Sequence, residues 1–148
     1  MVLSSAGFWL LTSLLVGLLA NRLPQSWLVP PRPQTGGQQL RRQDRMGVRQ
    51  WKRWIPDGGA ALPGGIAKAS LVRRDHASLG RLLVETRRAE LVHWILWSAA
   101  GVTALWLPPG GVLVNLLFAT GFNLPCLVLQ RYNRQRLQHC LRRAHGSR

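Results

Sequence analysis

Glu90 and His93 are the two residues whose types and spacing best suit chemistry. They lie three positions apart, so on an α-helix they share one face and are close enough to interact. Histidine accepts a proton near neutral pH, and a carboxylate one turn away can orient the imidazole and stabilise its charged form. Both stand where a long apolar run begins, and ionisable side chains at such a depth are costly and are functional candidates by default. We predict His93 as a general base and Glu90 as its partner.

A second polar cluster, Gln-Arg-Tyr-Asn-Arg-Gln-Arg (residues 130–136), follows another apolar run. Guanidinium groups bind phosphates in a bidentate manner, and amides can donate to an oxygen on which negative charge develops during a reaction. Asn123 has an alternative role, bonding the helix backbone near Pro125, and Tyr132 has the alternative role of an interface anchor. The predicted groups are donor-phosphate ligands Arg88, Arg131 and Arg134; oxyanion or acceptor ligands Asn123, Gln130 and Asn133; and supporting residues Glu85 and Tyr132.

Two apolar runs, residues 91–107 and 111–129, position these clusters. As helices they cover roughly 25 and 28 Å, enough to cross a hydrocarbon core of about 30 Å with help from flanking residues. Pro108-Pro109-Gly110-Gly111 between them predicts a tight reversal. Equal distances from that turn then place Arg88 level with Arg131 and His93 level with Cys126.

The charge distribution predicts the topology. The 148-residue chain has a formal charge of +15, from 20 Lys and Arg against five acids. No basic residue precedes Arg22 or lies between Arg88 and Arg131, and residues 2–20 form an uncharged first span, which we interpret as uncleaved. Basic residues favour the cytoplasmic side. We therefore predict an all-α integral membrane protein with a single membrane domain, residues 1–148. Its parts are three transmembrane helices, the last two as a hairpin (about 2–20, 91–107 and 111–129), a cytoplasmic loop 21–90 and a basic tail 130–148.

The loop contains a second membrane signal. Val48, Trp51, Trp54 and Ile55 recur at helical spacing among basic residues. This pattern is typical of a basic helix lying in the membrane interface, with anionic lipid as its partner. Residues 24–39 and 58–65 are rich in Pro and Gly and predict irregular connections, with a turn at 56–58. Stacking motifs for nucleic acid are absent, so no nucleic-acid partner is expected.

Several familiar catalytic solutions are missing from the sequence. It has no G-x-S-x-G elbow, no H-x-x-x-x-D and no H-E-x-x-H site. Cys126 and Cys140 are too few for a disulfide framework or a zinc cluster, although Cys126 beside His93 would allow a covalent acyl-enzyme. We predict no metal and no cofactor. The simplest scheme has His93 take a proton directly from an acceptor hydroxyl, without a covalent intermediate.

Three blocks of the sequence resemble a known family. They are Arg-Gln-Trp-Lys-Arg-Trp-Ile-Pro-Asp-Gly (49–58), Glu-Thr-Arg-Arg-Ala-Glu-Leu-Val-His-Trp (85–94) and Asn-Leu-Pro-Cys-Leu-Val-Leu-Gln-Arg-Tyr-Asn-Arg-Gln-Arg-Leu (123–137). In this order they are similar to the glycosyl-4,4'-diaponeurosporenoate acyltransferases, small bacterial membrane proteins of staphyloxanthin-type carotenoid synthesis. The resemblance implies acyl transfer at a membrane and assigns no catalytic residue.

The resulting expectation is a multi-pass enzyme of a bacterial cell membrane that esterifies a sugar hydroxyl of a glycosylated carotenoid with a fatty acyl group. The acyl donor would be acyl-CoA or acyl-carrier protein. Two alternatives stay open: an acyltransferase acting on another glycolipid, and a non-catalytic membrane subunit of a biosynthetic complex. The sequence does not indicate the oligomeric state.

Overall fold

The computed structural model describes residues 2–29, 41, 44–45, 47–55 and 76–146, and this part of the chain is helical without strands. The predicted all-α class is confirmed. The irregular stretches predicted within 30–39 and 58–65, and the turn at 56–58, lie outside the described residues. The helices are α1 (Val2–Asn21), α2 (Val48–Trp51, extended by a 3₁₀ turn, Lys52–Trp54), α3 (His76–Ala99) and α4 (Pro109–Gly146), with further 3₁₀ segments at Gln25–Leu28 and Ala100–Leu105.

The hairpin of α3 and α4 is the main packing unit. The reversal comes slightly earlier than predicted, because α4 already begins at Pro109. Proline suits the first turn of a helix, where its missing N–H has no intrahelical partner to lose. The amide of Val112 donates to the carbonyl of Pro108 at 3.0 Å. Gly111 suits the close approach, since a Cβ there would make a tight contact, 3.3 Å from the Cβ of Leu107.

Two described helices are long and apolar enough to cross a membrane, α1 and the stretch Pro109–Arg142 of α4. The second predicted span, 91–107, is not one continuous α-helix: α3 ends at Ala99 and the chain continues as a 3₁₀ segment. The first half of α3 is rich in charge, which lowers the mean hydropathy of the whole helix. Pro125 lies inside α4 without ending it. With 38 residues, α4 is about 57 Å long and extends well beyond a bilayer core.

Helix α1 packs beside the turn of the hairpin. The indole N–H of Trp9 donates to the amide oxygen of Asn115 at 2.7 Å, and Phe8 contacts the ring of Trp106 edge-on. Gly17 and Ala20, both small, are buried on α1. Its large side chains point outward, and Leu3 and Leu11 are among many exposed apolar residues. An apolar surface of this kind suits contact with lipid.

Helix α2 packs differently from the prediction. Its apolar side chains lie against α4 rather than in the membrane interface: Val48 is fully buried with Leu129 and Tyr132, and Trp51 and Ile55 pack around them. The hydroxyl of Tyr132 donates to Asp44 at 2.9 Å and ties the segment down. Only Trp54 matches the interfacial prediction, since it is 76% exposed. Packing on α4 removes the side chain of Val48, and part of Trp51 and Ile55, from water.

Candidate functional site

Glu90 is the centre of the polar cluster at the open end of the hairpin. Its side chain is 2% exposed, and both carboxylate oxygens are occupied by arginines. Arg131 donates from Nε at 2.7 Å, Arg87 donates at 3.1 Å, and Arg134 completes the group. Arg87, Arg131 and Arg134 are called the arginine cluster below. Two of its members come from α4, so the cluster joins the two helices of the hairpin.

The electrostatics of this cluster are unbalanced. Burial raises the pKa of Glu90, but hydrogen bonds and charges from Arg134 and Arg131 outweigh it and lower the pKa to about 2. The carboxylate is therefore ionised at neutral pH. One negative charge faces three guanidinium groups, so the cluster keeps a net charge of about +2. Arg131 and Arg87 are 46% and 44% exposed, so an anion has access to part of this charge.

His93 lies one turn deeper, and its partner differs from the prediction. Nδ1 of His93 lies 3.0 Å from Oδ1 of Asn123. The oxygens of Glu90, the predicted partner, bond to the arginine cluster instead. Cys126 was predicted at the depth of His93. Asn123 lies about one turn nearer the reversal at residues 108–111 than Cys126 does. Trp97 Nε1 donates to the hydroxyl of Thr120 at 3.1 Å. This partner is also displaced along α4 towards the reversal, relative to the predicted pairing.

The buried amides of α4 form a row. Asn115 and Asn123 lie eight positions apart on one helical face, with fully buried Ala119 between them. Each amide nitrogen donates to the carbonyl four residues earlier, Gly111 at 3.0 Å and Ala119 at 2.9 Å. Each amide oxygen meets a ring nitrogen of another helix. Sequence analysis did not identify Asn115, although two asparagines at this spacing in an apolar run are a readable signal.

The other predicted residues lie in three settings. Arg88 pairs with Glu85 on its own helix, about 200° around α3 from Glu90, so it does not join Arg131 and Arg134 as predicted. Its Nε is buried without a partner among the described residues. Arg87, which was not among the predicted site residues, takes that place. Tyr132 supports the site by holding α2. Gln130 and Asn133 are half-buried on α4, and within the described ranges neither makes a side-chain hydrogen bond.

The described residues contain no group of three or more His, Cys, Asp or Glu able to hold a metal. The residues present can support proton transfer at His93 and anion binding at the arginine cluster, about one helical turn apart. His93 and the arginine cluster both lie near the open end of the hairpin.

Comparison with known proteins gives the family. A family sequence model described as glycosyl-4,4'-diaponeurosporenoate acyltransferase matches residues 24–143, which include α2, α3 and nearly all of α4. Relatives of that name from Staphylococcus aureus strains USA300, NCTC 8325 / PS 47 and MRSA252 are 35% identical over 96 residues. The alignment covers 64% of this chain and 57% of each relative, so the chain spans little more than half of their length. No solved structure matches the chain. The chain belongs to the glycosyl-4,4'-diaponeurosporenoate acyltransferase family.

Proposed function

We propose that this protein is a membrane acyltransferase that esterifies a sugar hydroxyl of a glycosylated carotenoid with a fatty acyl group. The names of its relatives support the reaction class and the acceptor. The observation that carries the proposal is the hairpin geometry, which places His93 one turn from the arginine cluster. A proton acceptor beside an anion site is what transfer from a phosphate-bearing thioester needs.

In the proposed reaction, His93 removes the proton from the sugar hydroxyl as its oxygen attacks the acyl carbon. The C–O bond forms, the C–S bond breaks, and the imidazolium returns the proton to the leaving thiolate, so the products are an ester and a thiol. Arg131 and Arg134 would bind phosphates of an acyl-CoA or acyl-carrier donor. Gln130 and Asn133 are placed on the same helix to donate to the thioester oxygen as its charge develops. Glu90 would hold the arginines in position.

The direct test is conversion of a glycosylated carotenoid to its acyl ester by membranes that carry the protein, with an acyl thioester supplied. The expected result is an ester whose mass increases by one acyl group. If the inserted protein produces no ester with either acyl-CoA or acyl-carrier protein, the catalytic proposal fails and the role of a membrane subunit takes its place.

The proposed topology places the amino terminus and the turn at residues 108–111 outside the cell. Residues 21–90 and the tail are then cytoplasmic, so all basic residues lie on the cytoplasmic side. After replacement of Cys126 and Cys140, we expect Gly64→Cys to be protected from an impermeant thiol reagent in intact cells. Gly110→Cys is the control, since a side chain there is exposed and meets no atom within 4 Å; it should be labelled. Labelling of Gly64→Cys in intact cells would contradict this topology.

Arg134→Ala should weaken use of the donor rather than the chemical step. A charge-assisted hydrogen bond contributes about 1.5–3 kcal/mol, so KM for the donor should rise about tenfold or more while kcat changes less. Glu90 keeps Arg87 and Arg131, so the hairpin should stay folded. The measurement is ester formation as a function of donor concentration.

Arg136→Ala is the matched control for Arg134→Ala. It removes the same charge two positions further on, from a side chain that lies over the ring of Tyr132 and not on Glu90. An equal rise in KM for the two variants would show that general surface charge, and not the arginine cluster, attracts the donor.

A further inference from the structure

The amide of Asn123 has a defined orientation. Its Nδ2 donates to the carbonyl of Ala119 at 2.9 Å, in a buried position. Exchanging the two amide atoms would set the amide oxygen against a carbonyl oxygen, and two acceptors cannot bond each other. The atom that faces His93 is therefore Oδ1, 3.0 Å from Nδ1.

An amide oxygen only accepts hydrogen bonds, so Nδ1 of His93 must be the donor. Neutral imidazole carries a single proton, and the bond at one nitrogen decides which nitrogen is left unprotonated. With the proton on Nδ1, the lone pair is on Nε2. The same amide polarity recurs two turns away, where Asn115 accepts from Trp9. Indole N–H is a donor only, so there the amide oxygen is the accepting atom.

We propose that Asn123 is the positioning residue of the reaction: it holds His93 as the Nδ1–H tautomer and leaves Nε2 to take the proton of the sugar hydroxyl. This proposal rests on the function proposed above, and gives Asn123 the role that the sequence had suggested for Glu90. In the structure the Glu90 oxygens bond to the arginine cluster, while Nδ1 of His93 lies against Asn123.

An amide has an electrostatic advantage at this depth. A carboxylate beside His93 would place a second charge in surroundings of low dielectric, where desolvation is expensive. An amide oxygen is neutral in the resting state. It still stabilises the imidazolium that forms during proton transfer, because a hydrogen bond from a charged donor is about twice as strong as a neutral one. The benefit is thus larger in the transition state than in the ground state, which is the condition for faster chemistry.

Three variants test the proposal by steady-state ester formation at equal amounts of inserted protein. Asn123→Leu has nearly the same size but no acceptor, and we expect kcat to fall about 10²-fold with little change in donor KM. Asn123→Asp keeps an oxygen that accepts from Nδ1, so kcat should recover to within about tenfold of wild type. Asn115→Leu is the matched control. It removes a buried amide of the same helix face with the same backbone bond, and kcat should be unchanged.

Three results would overturn the proposal: wild-type kcat in Asn123→Leu, an equal loss in Asn115→Leu, or no recovery in Asn123→Asp. Each is distinct from failure of the proposed function, which would appear as no ester from the wild-type protein. Normal ester formation by a variant lacking His93 would instead contradict the assignment of His93 as the base.

Discussion

Replacing His93 with alanine should reduce ester formation by about 10²-fold or more, the usual contribution of a general base. The base acts only while the hydroxyl loses its proton, so kcat should fall while KM for the donor and membrane insertion change little. The measurement is the rate of conversion of glycosylated carotenoid to its acyl ester in membranes with equal protein content. His93→Gln keeps a polar side chain without the ability to take up a proton, and should lose nearly as much activity.

His139→Ala is the control for His93→Ala. His139 lies in the tail portion of α4, beyond the end of the apolar run 111–129, and its loss should leave the rate unchanged. Normal ester formation by His93→Ala would show that another group removes the proton or that the acceptor needs no base.

Replacing Glu90 with glutamine should destabilise the hairpin by about 3 kcal/mol or more. Removal of one partner from a buried charge pair leaves the other charges uncompensated, and here three arginines lose their shared carboxylate. The measurement is thermal unfolding of the detergent-solubilised protein. Arg87→Gln is the control: its side chain is 44% exposed, and it leaves Glu90 with two arginines, so its loss should cost about 1 kcal/mol or less. Equal losses for the two variants would contradict the role of Glu90 as the hub.

The stabilisation that Glu90 and its arginines contribute has a defined pH dependence. The pKa of Glu90 is lowered from 4.5 to about 2, so the folded protein holds this proton less tightly than the unfolded chain. The stabilisation is fully present above pH 4.5 and is lost as the pH falls towards 2. The difference in unfolding temperature between wild type and Glu90→Gln should therefore shrink over this range. A difference that stays constant down to pH 2 would show that Glu90 is not held as an ionised partner of the arginines.

The sequence by itself determined the all-α class, the reversal near Pro109 and the end of the hairpin at which the polar residues gather. These features follow from local properties: apolar runs of about twenty residues, proline at a helix start, and charges that avoid the apolar stretches. The spacing of Glu90 and His93 correctly placed them on one side of α3. Arg87 and Glu90 are also three positions apart, so the same spacing rule allows their contact, although Arg87 was not among the predicted site residues.

Only the tertiary structure decided which side chains meet. Helical periodicity defines the residues of one face, but a slide of one helix by a single turn, about 5.4 Å, changes every partner by three or four positions. The packing of α3 on α4 therefore selected Asn123 rather than Cys126 for His93, and Arg131 with Arg134 for Glu90. The apolar face of α2 could likewise be removed from water by contact with lipid or by contact with protein. The buried contact of Val48 with Tyr132 was decided by long-range packing that no local pattern encodes.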